Sequence, residues 1–372
     1  MKYPLTQHVK ENFLTPTLLF LLIFCGLSGA LNKTAAQERA YVTNSCDTGV
    51  AVIDTATNSV AATITLPSVS FDTAIKPDGT RAYVSNFVDN SVSVIDTATN
   101  TVIAIIPVGI NPNGVAITSD GKRVYVANQI SNTLSVINTA NNKVVNTIPV
   151  GFGPSELALT PDDSRVYVVY GATALNPAAS VIDTASKKVI TTFSLSGLPI
   201  DIAITPDGTR AYITNQETHM VSVVSTATNT VIATIPIPTD FEPYGVAITP
   251  NGARAYVTNL EGAVTVIDTA TNTVVATIPL AMGFYGIAIT PDGTRAYVTN
   301  VNNHTISVID TGSNTVVFNF PTIPCPLKIT MMSAPLTPKS KADCRKGGYL
   351  NFGPPAGPFE NQGQCIKYVN AL

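Results

Sequence analysis

Short runs of alternating apolar and polar residues recur along the chain, separated by turns rich in Asp, Asn, Gly and Pro. One such run is Arg295–Asn300, which reads Arg-Ala-Tyr-Val-Thr-Asn. The other versions of it are Arg39–Asn44, Arg81–Asn86, Arg123–Asn128, Arg165–Tyr170, Arg210–Asn215 and Arg254–Asn259. The tyrosines of neighbouring runs are 41 to 45 residues apart. A period of that size, built from short β-type segments, predicts a repeat architecture.

Each repeat predicts four strands, which we name A to D. In the unit that starts at Gly245, these are Gly-Val-Ala-Ile-Thr, Ala-Tyr-Val-Thr-Asn, Val-Thr-Val-Ile-Asp and Val-Val-Ala-Thr-Ile. The turn Pro-Asp-Gly-Thr joins A to B, because proline presets φ and glycine supplies the positive φ of a hairpin. The turn Asp-Thr-Ala-Thr-Asn joins C to D, and its aspartate can accept the amides of its own turn. Four antiparallel strands per repeat are typical of a propeller blade.

We therefore predict an all-β fold, a seven-bladed β-propeller of four-stranded antiparallel blades over residues 37–332. The first repeat begins at strand B, so its strand A must come from elsewhere in the chain. Pro326–Met332 contains Lys-Ile-Thr, which we align with the Ala-Ile-Thr of the other A strands. On this alignment Pro326–Met332 pairs with Arg39–Asn44, and the closing blade is shared between the N- and C-termini. Closing the ring in this way removes its exposed ends.

Two cysteines flank the strands of this shared blade. Antiparallel pairing puts Cys46 and Cys325 at one end of the two strands, about two residues out of register. We predict a disulfide between them, which chain-entropy arithmetic values at up to about 5 kcal/mol. Two free thiols, or cross-pairing with Cys344 and Cys365 near the C-terminus, are the alternatives.

Residues 1–36 predict a secretory signal peptide. Two lysines precede the apolar run from Leu18 to Leu27, and small residues follow, so that cleavage after Ala30 or Ala36 fits. The run is short for a membrane span, and we expect no span in the mature chain. Export predicts a secreted, periplasmic or cell-surface bacterial protein, in a compartment where disulfides persist.

The composition argues against several classes of function. Charged residues make up 12% of the chain and the formal net charge is −3, which gives no attraction for nucleic acid or an anionic membrane. No nucleophile elbow, His-Glu-x-x-His, phosphate loop or haem-attachment motif is present in the sequence. Beyond the signal region only His219 and His304 remain, and both are predicted in exposed B–C loops. A non-catalytic protein is therefore favoured, without a cofactor.

The repeated arginines and tyrosines are predicted to be structural. An arginine stands two residues before each repeat tyrosine. Identical residues in every blade serve each blade in the same way, so we expect the arginines to pair with turn aspartates or with C-terminal carbonyls. The tyrosines are expected to pack between blades.

The motifs Tyr-Val-Thr-Asn, Val-Ile-Asp-Thr-Ala-Thr-Asn and Ala-Ile-Thr-Pro-Asp-Gly-Thr-Arg-Ala-Tyr resemble the repeats of the YVTN-family β-propellers over about residues 39–332. That resemblance implies a propeller of the kind found in surface-layer and other exported proteins. The fourth repeat departs from the pattern at Val169-Tyr170 and in the insertion that follows. Residues 333–372 are interpreted as a linker followed by a short tail with two cysteines. The tail resembles a cysteine motif found at the carboxyl end of many exported bacterial proteins, and that resemblance implies a Cys344–Cys365 disulfide.

Function in a repeat ring is expected where the repeats differ. The first positions of the A strands, on our alignment, are Asp72, Gly114, Glu156, Asp201, Gly245, Gly286 and Pro326. This edge should line the central channel, so that three carboxylates converge at one mouth. With nearby loop residues, the candidate binding residues are Asp72, Glu156, Asp201, Phe241, Glu242, Tyr244, Phe284 and Tyr285. Phe71 and Phe152 lie in the same loops.

Aromatic side chains with oxygen ligands suit a binding funnel, or a hard cation such as calcium. The alternative is that the acidic residues are solvated and the aromatic residues cover the blade tops. The leading prediction is an exported, non-catalytic scaffold that binds a protein or glycan at the cell envelope. A surface-layer structural subunit is a close alternative. The other alternative is a lactonase-like hydrolase at the channel mouth, resting on Asp72, Glu156 and Asp201.

Overall fold

A computed structural model describes residues 38–170, 177–238 and 241–332, with Phe284 described by its backbone alone. Within these ranges the chain forms strands β1 to β28 and no helix, hence no helix that could cross a membrane. The predicted signal peptide, the C-terminal tail and its Cys344–Cys365 pair lie outside the described residues.

Each repeat contributes one strand to the centre of the molecule and one beside it. The inner strands are β4 (Ser70–Ile75), β8 (Pro112–Ile117), β12 (Pro154–Leu159), β16 (Pro199–Ile204), β20 (Pro243–Ile248), β24 (Phe284–Ile289) and β28 (Pro326–Met332). The second strands are β1 (Arg39–Asn44), β5 (Arg81–Asn86), β9 (Arg123–Asn128), β13 (Arg165–Tyr170), β17 (Arg210–Asn215), β21 (Arg254–Asn259) and β25 (Arg295–Asn300).

The remaining two strands of each blade lie further out. The third strands are β2 (Gly49–Asp54), β6 (Ser91–Asp96), β10 (Thr133–Asn138), β14 (Ala178–Asp183), β18 (Met220–Ser225), β22 (Ala263–Asp268) and β26 (Thr305–Asp310). The outer strands are β3 (Ser59–Thr65), β7 (Thr101–Pro107), β11 (Lys143–Pro149), β15 (Lys188–Ser194), β19 (Thr230–Pro236), β23 (Thr273–Pro279) and β27 (Thr315–Pro321).

These strands form seven four-stranded antiparallel sheets, so the predicted seven-bladed β-propeller is confirmed. Blade 1 has the order β28-β1-β2-β3, and blades 2 to 7 are β4–β7 through β24–β27. The inner strands contact one another in the order β4, β8, β12, β16, β20, β24, β28 and then β4 again, which closes a ring around a channel. The predicted donation of β28 to the first blade is also confirmed.

The turns have the predicted chemistry. Gly79 takes a φ of 70° between β4 and β5, and its amide donates to the Lys76 carbonyl at 2.8 Å. Between β6 and β7 the Asp96 carboxylate accepts the amides of Ala98 and Thr99, and Asn100 takes a φ of 53°. These tight turns lie at one face of the ring, which we call the bottom face. The top face carries the loops between second and third strands and the connections between blades.

The hydrophobic core lies in the seams between blades. Seven clusters of buried residues each combine side chains from two neighbouring blades. In the seam that closes the ring, Tyr297 and Phe320 of blade 7 pack with Val42 and Ile329 of blade 1. A single blade is too thin to bury both of its faces, so its stability depends on its neighbours.

The repeat tyrosines cross these seams with a hydrogen bond as well as with their rings. Six of them are fully buried and donate to the side-chain oxygen of an asparagine in the next blade's outer turn. The pairs are Tyr41–Asn100, Tyr83–Asn142, Tyr167–Asn229, Tyr212–Asn272, Tyr256–Asn314 and Tyr297–Asn58. Lys187 takes the asparagine's place opposite Tyr125, with the same positive φ. Inter-blade packing of these tyrosines is therefore confirmed.

Four of the repeat arginines bind the next blade's turn through a main-chain carbonyl. Each donates from Nη1 to a threonine carbonyl oxygen, in the pairs Arg39–Thr97, Arg81–Thr139, Arg165–Thr226 and Arg210–Thr269. Of the two predicted partners, the carbonyl is the one observed for these arginines. A charged donor on a carbonyl gives a stronger bond than a neutral pair.

The closing blade is fastened by the predicted disulfide. Cys46 and Cys325 are bonded, with their Cα atoms 5.6 Å apart. Asn44 pairs with Pro326, and the Ser45 amide donates to the Cys325 carbonyl at 3.2 Å. The two cysteines are therefore one residue out of register, and the predicted offset of two was wrong. The bond joins residues that are 279 positions apart in sequence.

We predict that the double variant Cys46→Ser/Cys325→Ser loses about 2–5 kcal/mol of unfolding free energy, because the unfolded chain regains the freedom that the cross-link removed. Urea unfolding of the oxidised wild type and of the variant measures the difference. Reductant should lower the wild type to the stability of the variant and leave the variant unchanged. A variant as stable as the oxidised wild type would contradict the role given to this bond.

Candidate functional site at the channel mouth

A β-bulge near the start of each inner strand sets the position of the candidate residues. In blade 2, Ser70 pairs with Asn86 and Thr73 with Val84, so Phe71 and Asp72 together oppose one residue. The same shift occurs in the other inner strands. A bulge bends the strand and redirects its side chains. The second bulge residue is the position at which the repeats differ.

The residue at this position in the closing strand is Lys328, and the prediction of Pro326 was wrong. Ile329 pairs with Val42 as Thr73 pairs with Val84, so Lys328 is equivalent to Asp72. Pro326 instead opposes the last residue of β1. Prolines begin β8, β12, β16 and β20 in the same way, and this signal could have set the register from sequence.

The threonine of the Tyr-Val-Thr-Asn run holds this bulge and joins it to the next blade. Thr258 accepts the Gly245 amide at 2.8 Å and donates to the Tyr285 carbonyl of the next inner strand at 2.8 Å. Thr43, Thr214 and Thr299 make the same pair of bonds. The hydroxyl therefore links neighbouring inner strands around the channel.

Two of the three candidate carboxylates also act as links between inner strands. Asp72 accepts the Thr73 amide at 2.8 Å on one oxygen and the Val115 amide of the next blade at 2.7 Å on the other. Asp201 accepts the amides of Ile202 and Val246 in the same way, at 2.9 and 3.0 Å. Each carboxylate therefore bridges the main chains of two neighbouring inner strands.

Lys328 joins the carboxylates from different blades. Its Nζ lies 3.2 Å from Glu156 Oε1 and 3.1 Å from Asp201 Oδ2. The three side chains are buried, with 15%, 10% and 14% of their areas exposed. Lys328 belongs to blade 1 and its partners to blades 4 and 5, so the ion pairs connect opposite sides of the ring.

Burial and charge shift the titration of this cluster. Burial raises the pKa of Asp72 to about 6, although Lys328 and the two amides oppose the rise. Burial raises the pKa of Glu156 well above its usual range, Lys328 opposes this, and Asp72 and Asp201 add to it. Burial alone would lower the pKa of Lys328, but Asp201, Glu156 and Asp72 together raise it well above its ordinary value. With all four groups ionised the cluster would carry an excess of negative charge, and this excess contributes to the raised pKa values of Asp72 and Glu156.

Glycine at the equivalent position of blade 3 makes room for Glu156. A Cβ added to Gly114 would lie 2.7 Å from Glu156 Oε2 and 2.8 Å from the Ser155 carbonyl oxygen. A side chain at residue 114 would therefore displace Glu156 from the cluster.

The aromatic candidates lie in different surroundings. Tyr244 and Tyr285 meet edge to face with centroids 4.6 Å apart, and burial raises the pKa of Tyr244 to about 12. Phe71 stacks on Phe87 at 4.4 Å. Phe241 packs against the core between blades 5 and 6, and Phe152 is 67% exposed.

The other candidates lie in top-face loops. Glu242 accepts a hydrogen bond from Gln216 Nε2 at 2.7 Å, and its amide donates to Glu261. Phe284 begins β24 opposite Asn300. His219 Nδ1 lies 2.8 Å from the Phe241 carbonyl, and His304 Nδ1 accepts the Cys325 amide at 2.9 Å. Both histidines therefore order loops.

A cavity of about 160 Å³ opens above the charged cluster on the top face. Its lining comprises Phe71, Asn113, Gln129, Ser155, Glu156, Pro199, Ile200, Tyr244, Leu327 and Lys328. The structure thus brings Asp72, Glu156 and Asp201 together around Lys328 and places Tyr244 at the cavity wall. In the described part of the chain, no group of three or more His, Cys, Asp or Glu side chains is arranged to hold a metal ion. Calcium binding at this mouth stays a prediction.

Comparison with known proteins agrees with this architecture. Residues 69–165 match the model of the YNCE-like beta-propeller family. The chain is a β-propeller repeat protein. Residues 133–283 of the propeller also match the model of the Choice-of-anchor I domain. A search of curated proteins gave no match.

Solved structures similar to the propeller share its fold at low sequence identity. Hydrazine synthase of Kuenenia stuttgartiensis is 22% identical with a TM-score of 0.65, over 71% of this chain and 92% of that one. A functionally unknown protein of Desulfotomaculum acetoxidans is 19% identical with a TM-score of 0.70, over 79% and 99%. The dihydro-heme d1 dehydrogenase NirN is 16% identical with a TM-score of 0.60, over 78% and 74%. Identities this low show the fold alone.

We predict that Lys328→Met lowers the unfolding free energy by about 3–5 kcal/mol near pH 7, because it leaves buried carboxylates without their cation. Urea unfolding measures the change. Lys122→Met is the matched control, since Lys122 is exposed and pairs with Asp120 at the surface. It should have little effect.

The loss of unfolding free energy in Lys328→Met should increase with pH. The pKa of Asp72 in the folded protein is about 6, above its unfolded value, so folding favours the protonated carboxyl. The free energy that this proton contributes to stability is fully present below the unfolded pKa and is lost as pH rises through about 6. Without Lys328 the carboxylates lose the charge that opposes this rise. The Lys328→Met penalty should therefore be larger near pH 7.5 than near pH 5. An equal penalty at both values, or one no larger than that of the control, contradicts the assignment.

Proposed function

We propose that this protein is an exported, non-catalytic β-propeller scaffold that binds a protein partner at the cell envelope through its top face. The observation that carries the proposal is an arc of exposed apolar side chains in consecutive top-face loops of blades 2 to 4. Val88, Ile110, Ile130 and Phe152 are 64%, 49%, 59% and 67% exposed. Exposed apolar side chains that lie side by side favour a protein interaction site.

The arc is continuous because its loops are joined to one another. The Ile130 amide donates to the Ile110 carbonyl at 3.2 Å, and the Ile110 amide donates to Ser131 Oγ at 2.7 Å. The Gly153 amide donates to Asn132 Oδ1 at 2.9 Å, which ties the Phe152 loop to the Ile130 loop. Side chains held on ordered loops lose little freedom on binding, which favours affinity.

The bottom face differs from the top face in its turns. The described bottom turns are rich in Asp, Asn, Thr and Gly, whose polar atoms serve the turns themselves. The exposed large apolar residues of the loops, among them Met282 at 63%, lie at the top. This asymmetry supports one binding face.

The cavity argues for a scaffold over a hydrolase. Its volume of about 160 Å³ is below the roughly 300–1,000 Å³ of sites that take ordinary small-molecule substrates. Asp72 and Asp201 are already engaged by main-chain amides of two blades. Carboxylates that hold inner strands together are poorly placed to act as a general base or nucleophile.

Export is supported by the cysteines and by the N-terminal sequence. The Cys46–Cys325 disulfide favours an oxidising compartment such as the periplasm or the cell surface. The lysines and apolar run of residues 1–36 support the same location.

Site-specific photo-crosslinking in the native cell tests the proposal. A benzophenone amino acid at position 152 should give one discrete adduct with an envelope protein, because Phe152 is the most exposed side chain of the arc. The same group at Ile105 is the control, since Ile105 is also exposed at 54% but lies on the outer strand β7. The purified partner should bind Phe152→Ser at least about 10-fold more weakly than wild type.

Equal adducts at positions 152 and 105, or none at 152, would contradict the proposal. An adduct with twice the mass of the chain would indicate self-assembly, and the surface-layer role would replace the scaffold role.

A further inference from the structure

We propose that the cavity above Glu156 and Lys328 binds an alkylammonium group, with Glu156 as its counter-ion. The cavity lies at the channel mouth on the top face and has a volume of about 160 Å³. Its wall combines the Glu156 carboxylate, main-chain and amide oxygens and two aromatic rings, which are groups that recognise an organic cation. Lys328 also lines the cavity, and its ammonium group is already paired with Glu156 and Asp201.

The charges around the cavity favour a second cation. Three carboxylates face a single ammonium group in the cluster, since Lys328 attracts Asp72, Glu156 and Asp201 together. Asp72 and Asp201 also accept main-chain amides, but Glu156 contacts Lys328 through Oε1 alone. Glu156 Oε2 has no hydrogen-bond donor among the residues the structure describes, although the side chain is nine-tenths buried. A second cation beside Oε2 would stabilise the ionised form of the Glu156 carboxylate.

Two inner-strand carbonyls at the cavity lack the threonine hydroxyl that their equivalents in other blades accept. In blades 1, 5, 6 and 7 a threonine hydroxyl donates to the inner-strand carbonyl of the next blade. In blades 3 and 4 that threonine is replaced by Ala127 and Val169, so the carbonyls of Ser155 and Ile200 receive no such bond. Ser155 and Ile200 both line the cavity. Their carbonyl oxygens are acceptors for the N–H groups of an ammonium ion.

The cavity walls fit the rest of the ligand. Phe71 and Tyr244 line the cavity, and a cation near an aromatic face gains about 0.5–2 kcal/mol in favourable cases. Asn113 and Gln129 add side-chain amides to the lining. A cavity of about 150 Å³ can hold a molecule the size of benzene, so the space suits an alkylammonium chain of about five or six heavy atoms.

Two sources could supply this group. One is a free amine, and the other is a lysine side chain of a protein docked on the top face. The second source rests on the scaffold function proposed above, whereas the binding of the ammonium group itself does not. The probes must therefore separate the two sources.

The test is isothermal titration calorimetry of the full chain with n-butylammonium chloride near pH 7.5. Wild type should bind n-butylammonium, whereas n-butanol, which has the same chain without the charge, should give no heat of binding. Glu156→Gln keeps the size of the side chain and should weaken n-butylammonium binding at least about 10-fold. Glu217→Gln is the matched control, because Glu217 is an exposed carboxylate in a top-face loop. It should bind as wild type does.

Nα-acetyl-lysine N-methylamide binding as tightly as n-butylammonium assigns the site to a lysine side chain, and much weaker binding assigns it to a free amine. No heat with either amine, equal binding of n-butanol, or unchanged binding in Glu156→Gln overturns the proposal. The comparison of n-butylammonium with n-butanol uses wild type and stands if the variant fails to fold. If no crosslink forms at position 152 but n-butylammonium still binds, the scaffold function is contradicted and the ammonium site is not.

Discussion

Closure of the ring by β28 is the constraint on which the rest of this structure depends. Each blade is stable only when both of its faces are covered, and the hydrophobic clusters accordingly lie between blades. An open ring would expose two such faces at once. The last strand prevents this, since it completes the first blade and contacts both neighbouring inner strands. Its two fastenings are the disulfide at Cys325 and the ion pairs of Lys328.

The same residues that make the repeat recognisable also connect one blade to the next. The tyrosine donates to an asparagine of the following blade, the arginine donates to a threonine carbonyl there, and the threonine hydroxyl joins the inner strands. The same contact is made at one seam after another, so the residues that make it recur in the repeats. Where a blade departs from it, as at Ala127 and Val169, the contact is lost and the cavity lies beside the gap. Departures from the repeat thus mark the site.

Most of the fold could be predicted from the sequence because its information is repeated seven times. Strand number, turn chemistry, the shared blade and the Cys46–Cys325 bond all follow from periodicity and spacing. The register of β28 could not be obtained from Lys-Ile-Thr alone, since β28 departs from the repeats after its bulge and Lys328 replaces an acidic or glycine residue. Because the alignment of β28 was wrong by two residues, it placed Pro326 at the position that Lys328 occupies, and the lysine beside the carboxylates was not predicted. The surroundings of Phe71, Phe241 and Tyr244 depend on loop geometry, which no periodic pattern encodes.

Hydrogen exchange followed by mass spectrometry on the intact protein tests ring closure most directly. If β28 is an integral strand, the amides of Pro326–Met332 should exchange as slowly as those of another inner strand such as Pro199–Ile204, and those of Arg39–Asn44 as slowly as those of Arg210–Asn215. If Pro326–Met332 exchanges rapidly while Pro199–Ile204 stays protected, the ring holds without its last strand and the account is wrong.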